Sequence, residues 1–200
     1  MADRRNVAIL IFDAMEVLDF AGPFEVFNVT AEVNDPSPFN VYTVAEYAAP
    51  VKARGGLSVN PHYAIHDCPP PDILLVPGGW GTRALMNNAV VVGWIKAQAA
   101  RVARLLSVCT GALVLARAGL LDGLRATTHH TAFDLLRKEA PTATIFENRR
   151  YVDNGKVVTS AGVSAGIDMA LYIVWALLGD AAVQQTLREM EYRWQPEAAG

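Results

Sequence analysis

Leu105-Leu106-Ser107-Val108-Cys109-Thr110-Gly111-Ala112 is an apolar strand that runs without a spacer into a helix and delivers a thiol to its first turn. Strand, tight turn and helix in that order make a nucleophile elbow, although Ser107 stands where such elbows carry their first glycine and a thiol replaces the hydroxyl. The free amides and positive dipole end of a helix N-terminus favour a thiolate, the nucleophilic form of cysteine. They also stabilise a developing anion. The alternative for Cys109 is a small buried core residue.

Outward from this stretch, apolar runs alternate with helical patterns, the order of an α/β fold with a mainly parallel sheet and helices on both faces. Val7–Phe12 reads as a buried strand, followed by a loop and a helix that Gly22-Pro23 opens and that reaches Val33. Phe39–Glu46 is a second strand. Val51–Arg54 and Leu57–Val59 around Gly55-Gly56 form a hairpin that projects from the sheet. Ile73–Val76 is a buried strand ending in Pro77-Gly78-Gly79-Trp80-Gly81, and a helical region follows from Thr82 to Val102. After the elbow helix Ala112–Ala118 come a short strand Arg125–Thr128 and a helix Thr131–Glu139. Next are strand Ile145–Asn148 and a hairpin of Tyr151-Val152 with Lys156–Thr159 across Asn154-Gly155. The long C-terminal helical region starts within 161–166.

The chain has 200 residues, 52% of them hydrophobic, enough for one large core, and residues 1–200 are expected to form one domain. A net charge of -3 and 18% charged residues lack the basic excess of a phosphate-neutralising protein, so nucleic acid is not the expected partner. The apolar run Val7–Phe12 is too short for a signal peptide, and Met169–Leu178 falls short of the roughly 20 residues that span a bilayer. Two cysteines, Cys68 and Cys109, make no disulfide framework. A reducing, cytoplasmic setting and no membrane partner are therefore expected.

Other candidates gather at strand ends, where open α/β sheets bind ligands. Asp19, between apolar neighbours after the first strand, either faces this crevice or serves as a loop carboxylate or helix cap. The turn at Gly78 and Gly79 offers amides toward the cysteine. Gly79-Trp80-Gly81-Thr82-Arg83-Ala84 is a loose dinucleotide fingerprint, but it follows a late strand and has Arg101 near where a ribose-binding acid belongs, so no cofactor is expected. His129 is either a crevice residue or a histidine bonded to nearby backbone. His62, His66 and Cys68 lack a close second cluster, and no metal is expected.

In chain order, Leu18-Asp19-Phe20-Ala21-Gly22-Pro23, Pro77-Gly78-Gly79, Ser107-Val108-Cys109-Thr110-Gly111, Ala126-Thr127-Thr128-His129 and Ala165-Gly166-Ile167-Asp168 resemble the ThiJ/PfpI superfamily of class I glutamine amidotransferase-like proteins. The resemblance covers about Val7 to Tyr192 and implies a flavodoxin-like three-layer sandwich. Within the superfamily, Asp19 and Cys109-Thr110 look most like isocyanide hydratases and the ligand-like N-terminal domains of AraC-type regulators. An end at Gly200 leaves no room for a helix-turn-helix domain, so a stand-alone protein is expected. Thr110 stands where family proteases have histidine, which argues against peptidase chemistry, and the sequence provides no clear histidine for an amidotransferase triad. The resemblance implies a small-molecule substrate, Cys109 as nucleophile, Asp19 as proton carrier, and Thr110 with the amides of Gly79 and Thr110 as charge stabilisers. Gly78, Gly111 and His129 would complete the substrate-binding shell, in a homodimer. Glyoxalase- or deglycase-like chemistry on small carbonyls, and a cysteine sensor without turnover, are the alternatives.

Overall fold

The computed structural model describes residues 4–196. Its strands are β1 (Arg5–Leu10), β2 (Phe39–Ala45), β3 (Val51–Lys52), β4 (Ser58–Val59), β5 (Tyr63–Ala64), β6 (Ile73–Val76) and β7 (Arg104–Val108), then β8 (Arg125–Ala126), β9 (Thr144–Ile145), β10 (Tyr151–Asp153) and β11 (Val157–Ser160). The helices are α1 (Val17–Val33), α2 (Thr82–Leu85), α3 (Ala89–Arg101), α4 (Gly111–Arg117), α5 (Phe133–Glu139), α6 (Ala165–Leu178) and α7 (Asp180–Glu189). The main sheet has the order β10-β11-β7-β6-β1-β2-β5, parallel throughout except for the β10–β11 hairpin. Its central strands β6 and β7 are buried from Ile73 to Val76 and from Leu105 to Val108, as expected where helices cover both faces. One layer contains α1 against α6 and α7, while α4 packs with α2, α3 and α5. This is a flavodoxin-like arrangement, and its chain reverses direction of winding between β1 and β6.

Departures from the sequence expectation have both tertiary and local causes. Helix α1 begins at Val17, before Gly22-Pro23, so Asp19 sits in its first turn rather than in a loop. Pro23 lies inside the helix and removes one backbone hydrogen bond. Burial of Phe20, Val26 and Phe27 offsets that loss, and the Glu16 amide at the helix entrance donates to the Gly78 carbonyl at 2.9 Å. The region from Thr82 to Val102 is two helices, because the Asn88 side chain caps α3 by accepting from the amides of Val90 and Val91. Arg125–Thr128 contributes only β8, which pairs with β9 outside the main sheet. Gly179, with φ of +84°, divides the C-terminal region into α6 and α7. The hairpin β3–β4 forms as expected.

Candidate active site at the Cys109 elbow

Parallel strands β6 and β7 end side by side, with Val76 in register with Ser107, so the turn after β6 faces the elbow after β7. Cys109 has φ of +56°, a left-handed conformation that costs a non-glycine residue on the order of 1 kcal/mol or more. Its surroundings hold that conformation: the Cys109 amide donates to the carbonyls of Ser160 and Ala161, both at 3.1 Å. Its carbonyl accepts from the Thr128 hydroxyl at 2.7 Å. The thiol is thus fixed at the edge of the core, only 6% exposed.

Asp19 is fully buried, and its Oδ2 accepts from the Gly78 amide at 2.9 Å. Gly78 separates this carboxyl from the thiol. A Cβ there would lie 2.8 Å from Asp19 Oδ2 and 2.8 Å from Cys109 Cβ, so the missing side chain is what lets the two groups approach. Weaker interactions with the Cys109 thiol and the Val163 amide also act on the carboxyl, but Asp19 Oδ1 is buried and completes no hydrogen bond. The loop-carboxylate alternative is thereby excluded.

Thr110 Oγ1 accepts from the Gly79 amide at 2.9 Å, donates to the Gly79 carbonyl at 3.1 Å, and lies 3.2 Å from Thr82 Oγ1. The Gly79 amide is therefore directed at Thr110, not at the thiol as the glycine-turn reading expected. The amide that reaches the Cys109 sulfur belongs to Thr110. Gly78 serves Asp19, and a Cβ at Gly111 would collide with the Val76 carbonyl, so both glycines permit close packing rather than face the cleft. The loose fingerprint has the same explanation: Gly79 bridges to Met15, and the Gly81 amide donates to the Ala14 carbonyl at 3.1 Å.

A cleft of about 250 Å³ opens above the thiol, lined among others by Glu16, Arg54, Trp80, Arg83, His129 and Val163. The His129 Nδ1 accepts from the Thr131 backbone amide at 3.3 Å, the local bond that one of its readings expected. His129 lines the cleft, and its Nδ1 lies 2.8 Å from the Thr131 hydroxyl at the start of a short helical turn, not on a strand. Burial holds its imidazole below the ordinary histidine range. Glu16, Arg54, Arg83 and Val163 carried no sequence signal, because separate elements bring them together. Arg54 sits on the β3–β4 hairpin, which reaches the cleft through an Arg54–Glu16 pair at 2.6 Å. Cys68 lies elsewhere, half-buried, with no helix behind it. Among the described residues no cluster of three or more His, Cys, Asp or Glu side chains could hold a metal, and no helix is long and apolar enough to cross a membrane.

The model of the DJ-1/PfpI family matches residues 5–176. The chain belongs to the DJ-1/PfpI family. It is similar to an isonitrile hydratase of Pseudomonas putida, 37% identical over 94% of this chain and 78% of that protein. It is also similar to the HTH-type transcriptional regulator CdhR of Pseudomonas aeruginosa, 30% identical over 82% of this chain but only 48% of the regulator. Among solved structures, a ThiJ/PfpI family protein from Pseudomonas syringae superimposes with a TM-score of 0.87 at 31% identity, over 97% of this chain and 77% of that one.

In this DJ-1/PfpI chain the electrostatics of the elbow differ from the expectation of a thiol lowered by its helix. Burial, and next the charge of Asp19, push the Cys109 thiol up to about 12, outweighing the Thr110 amide. Burial likewise raises the Asp19 carboxyl to about 7, against the lowering effect of the Gly78 amide. Between about 7 and about 12 the pair holds one proton, on sulfur in its more stable form, with Asp19 ionised. When Asp19 takes that proton its charge disappears, and with it one of the forces holding the proton on sulfur. The charge state of Asp19 therefore bears on the ionisation of the Cys109 thiol.

Proposed function

We propose that this protein is a cysteine-dependent enzyme acting on a small electrophile, and that its reaction is the hydration of an isocyanide to an N-substituted formamide. The observation that carries this reading is the buried Asp19 carboxyl, turned toward Cys109 across the side-chain-free Gly78, with Oδ1 unengaged. The likeness to isonitrile hydratase supports it.

Cys109 Sγ attacks the isocyanide carbon, forming a C–S bond, while the proton shared with Asp19 moves to that carbon. The product is a thioimidate on sulfur, and Asp19 is left ionised. Water then adds to the same carbon with Asp19 as general base, its proton ending on nitrogen. The tetrahedral adduct collapses, the C–S bond breaks, and the hydroxyl proton returns through Asp19 to sulfur as the formamide leaves. Covalent attack splits one difficult hydration into two easier steps. Thr110 and His129 position the turn and the cleft wall. No metal or organic cofactor enters the scheme, and assembly as a homodimer belongs to the same reading.

The test is conversion of an aryl isocyanide by purified protein, followed by ultraviolet absorbance, with methylglyoxal consumption assayed in parallel. Formamide should accumulate, and Cys109→Ala should abolish it. Loss of methylglyoxal with the isocyanide untouched would replace hydration by carbonyl chemistry. If neither reacts while Cys109 still labels, the site is a ligand sensor, as in the alternative drawn from regulator domains.

A further inference from the structure

The charges around the cleft do not cancel. Glu16 is neutralised by Arg54 at 2.6 Å, whereas Arg83 has no carboxylate within ion-pair distance among the described residues. Its hydrogen bonds go to neutral acceptors, the Gly79 carbonyl and the Thr82 hydroxyl, both at 3.3 Å. The guanidinium lies 4.8 Å over the ring of Trp80, which is 70% exposed, so one face of this cation rests on an indole at the cleft rim. Across the cleft, the charge of Arg83 acts on His129. Both side chains line the same space as the Cys109 thiol.

We infer that Arg83 is a specificity residue that selects small electrophiles bearing a carboxylate, for example an isocyanide with an acid group on its substituent. The inference rests on Cys109 as the attacking atom. Arg83 presents a planar set of donors to a cleft of about 250 Å³ that it lines together with the Cys109 thiol, and a carboxylate is the anion that such a fork recognises in two-point fashion. An uncharged substituent leaves that cation with its neutral partners and no counter-charge.

Iodoacetate and iodoacetamide test this independently of any hydratase activity, because they are nearly the same size and differ in charge. Each alkylates sulfur with loss of iodide, and taking the ratio of their rates removes any general effect on thiol ionisation. Relative to a small free thiol, Cys109 should prefer iodoacetate by about three- to tenfold, the size of a partly exposed charge contact. Arg83→Gln should erase the preference and Arg83→Lys should retain part of it. In the unaltered protein the preference should shrink as salt is raised from about 0.01 to 0.5 M, which provides a reading even if a variant fails to fold. A ratio equal to that of the free thiol, or one unchanged in Arg83→Gln, overturns the assignment. With isocyanides, kcat/KM for isocyanoacetate over its methyl ester should show the same dependence on Arg83. Absence of formamide from both would count against hydration while the alkylation ratio still decides the role of Arg83.

Discussion

At the residue scale, the unit to test is the coupled pair of Cys109 and Asp19. Because the carboxyl is raised to about 7 and the thiol to about 12, the pair carries one proton over the interval between them, and only that form can place the proton on Asp19 and leave sulfur ionised. Alkylation of Cys109 should therefore rise through an apparent pKa near 7 and then level off. That step should vanish in Asp19→Asn, as rates measured by mass spectrometry against pH can check. Cys68, raised by burial above the ordinary thiol range, should gain reactivity only in more alkaline solution. The same carboxyl affects stability. Its folded pKa lies above the unfolded value of 3.8, so the native state binds more protons between about 3.8 and 7, and stability falls as pH rises through that window. Asp19→Asn should flatten this dependence, worth on the order of 3 kcal/mol, in urea unfolding at pH 4 and pH 7.5. Its turnover should fall by about 100-fold or more with the fold intact.

At the scale of elements, the site depends on how closely the turn after β6 approaches the elbow before α4. Gly78→Ala would put a methyl group 2.5 Å from the Thr110 amide nitrogen and 2.8 Å from both Asp19 Oδ2 and Cys109 Cβ. Relief requires the two elements to separate. The expected loss is about 1–3 kcal/mol in stability, with activity per folded molecule falling further because the proton pair is pulled apart. Thermal midpoints measured alongside kcat separate the two effects. Thr110→Val leaves the Gly79 amide without its acceptor and should cost about 1–2 kcal/mol. In both variants, slower alkylation of Cys109 would mark a loosened elbow rather than partial unfolding.

At the scale of the whole molecule, Asp168 of the Ala165-Gly166-Ile167-Asp168 motif is far from the chemistry in role. It pairs with Arg150 and accepts from the Tyr192 hydroxyl at 3.0 Å, which ties the β10 segment and the chain after α7 to α6. Asp168→Asn should lower the thermal midpoint by an amount corresponding to about 1–3 kcal/mol while the alkylation profile of Cys109 is preserved. The sequence by itself determined the layer architecture, because buried apolar runs of strand length alternate with helical stretches, and that periodicity survives any local error in boundaries. It also singled out Cys109 as the candidate thiol, since of the two cysteines it alone is delivered by a strand directly to a helix. The start of α1 and the reduction of Arg125–Thr128 to two paired residues were decided by contacts distant in sequence, such as the Gly78 carbonyl that holds the Glu16 amide, whereas the division at Asn88 is a local cap. Only the tertiary structure decided the electrostatics of the site. Desolvation depends on what surrounds a group from every direction, so neither the raised thiol and carboxyl nor the unpaired charge of Arg83 beside them can be read from neighbours along the chain.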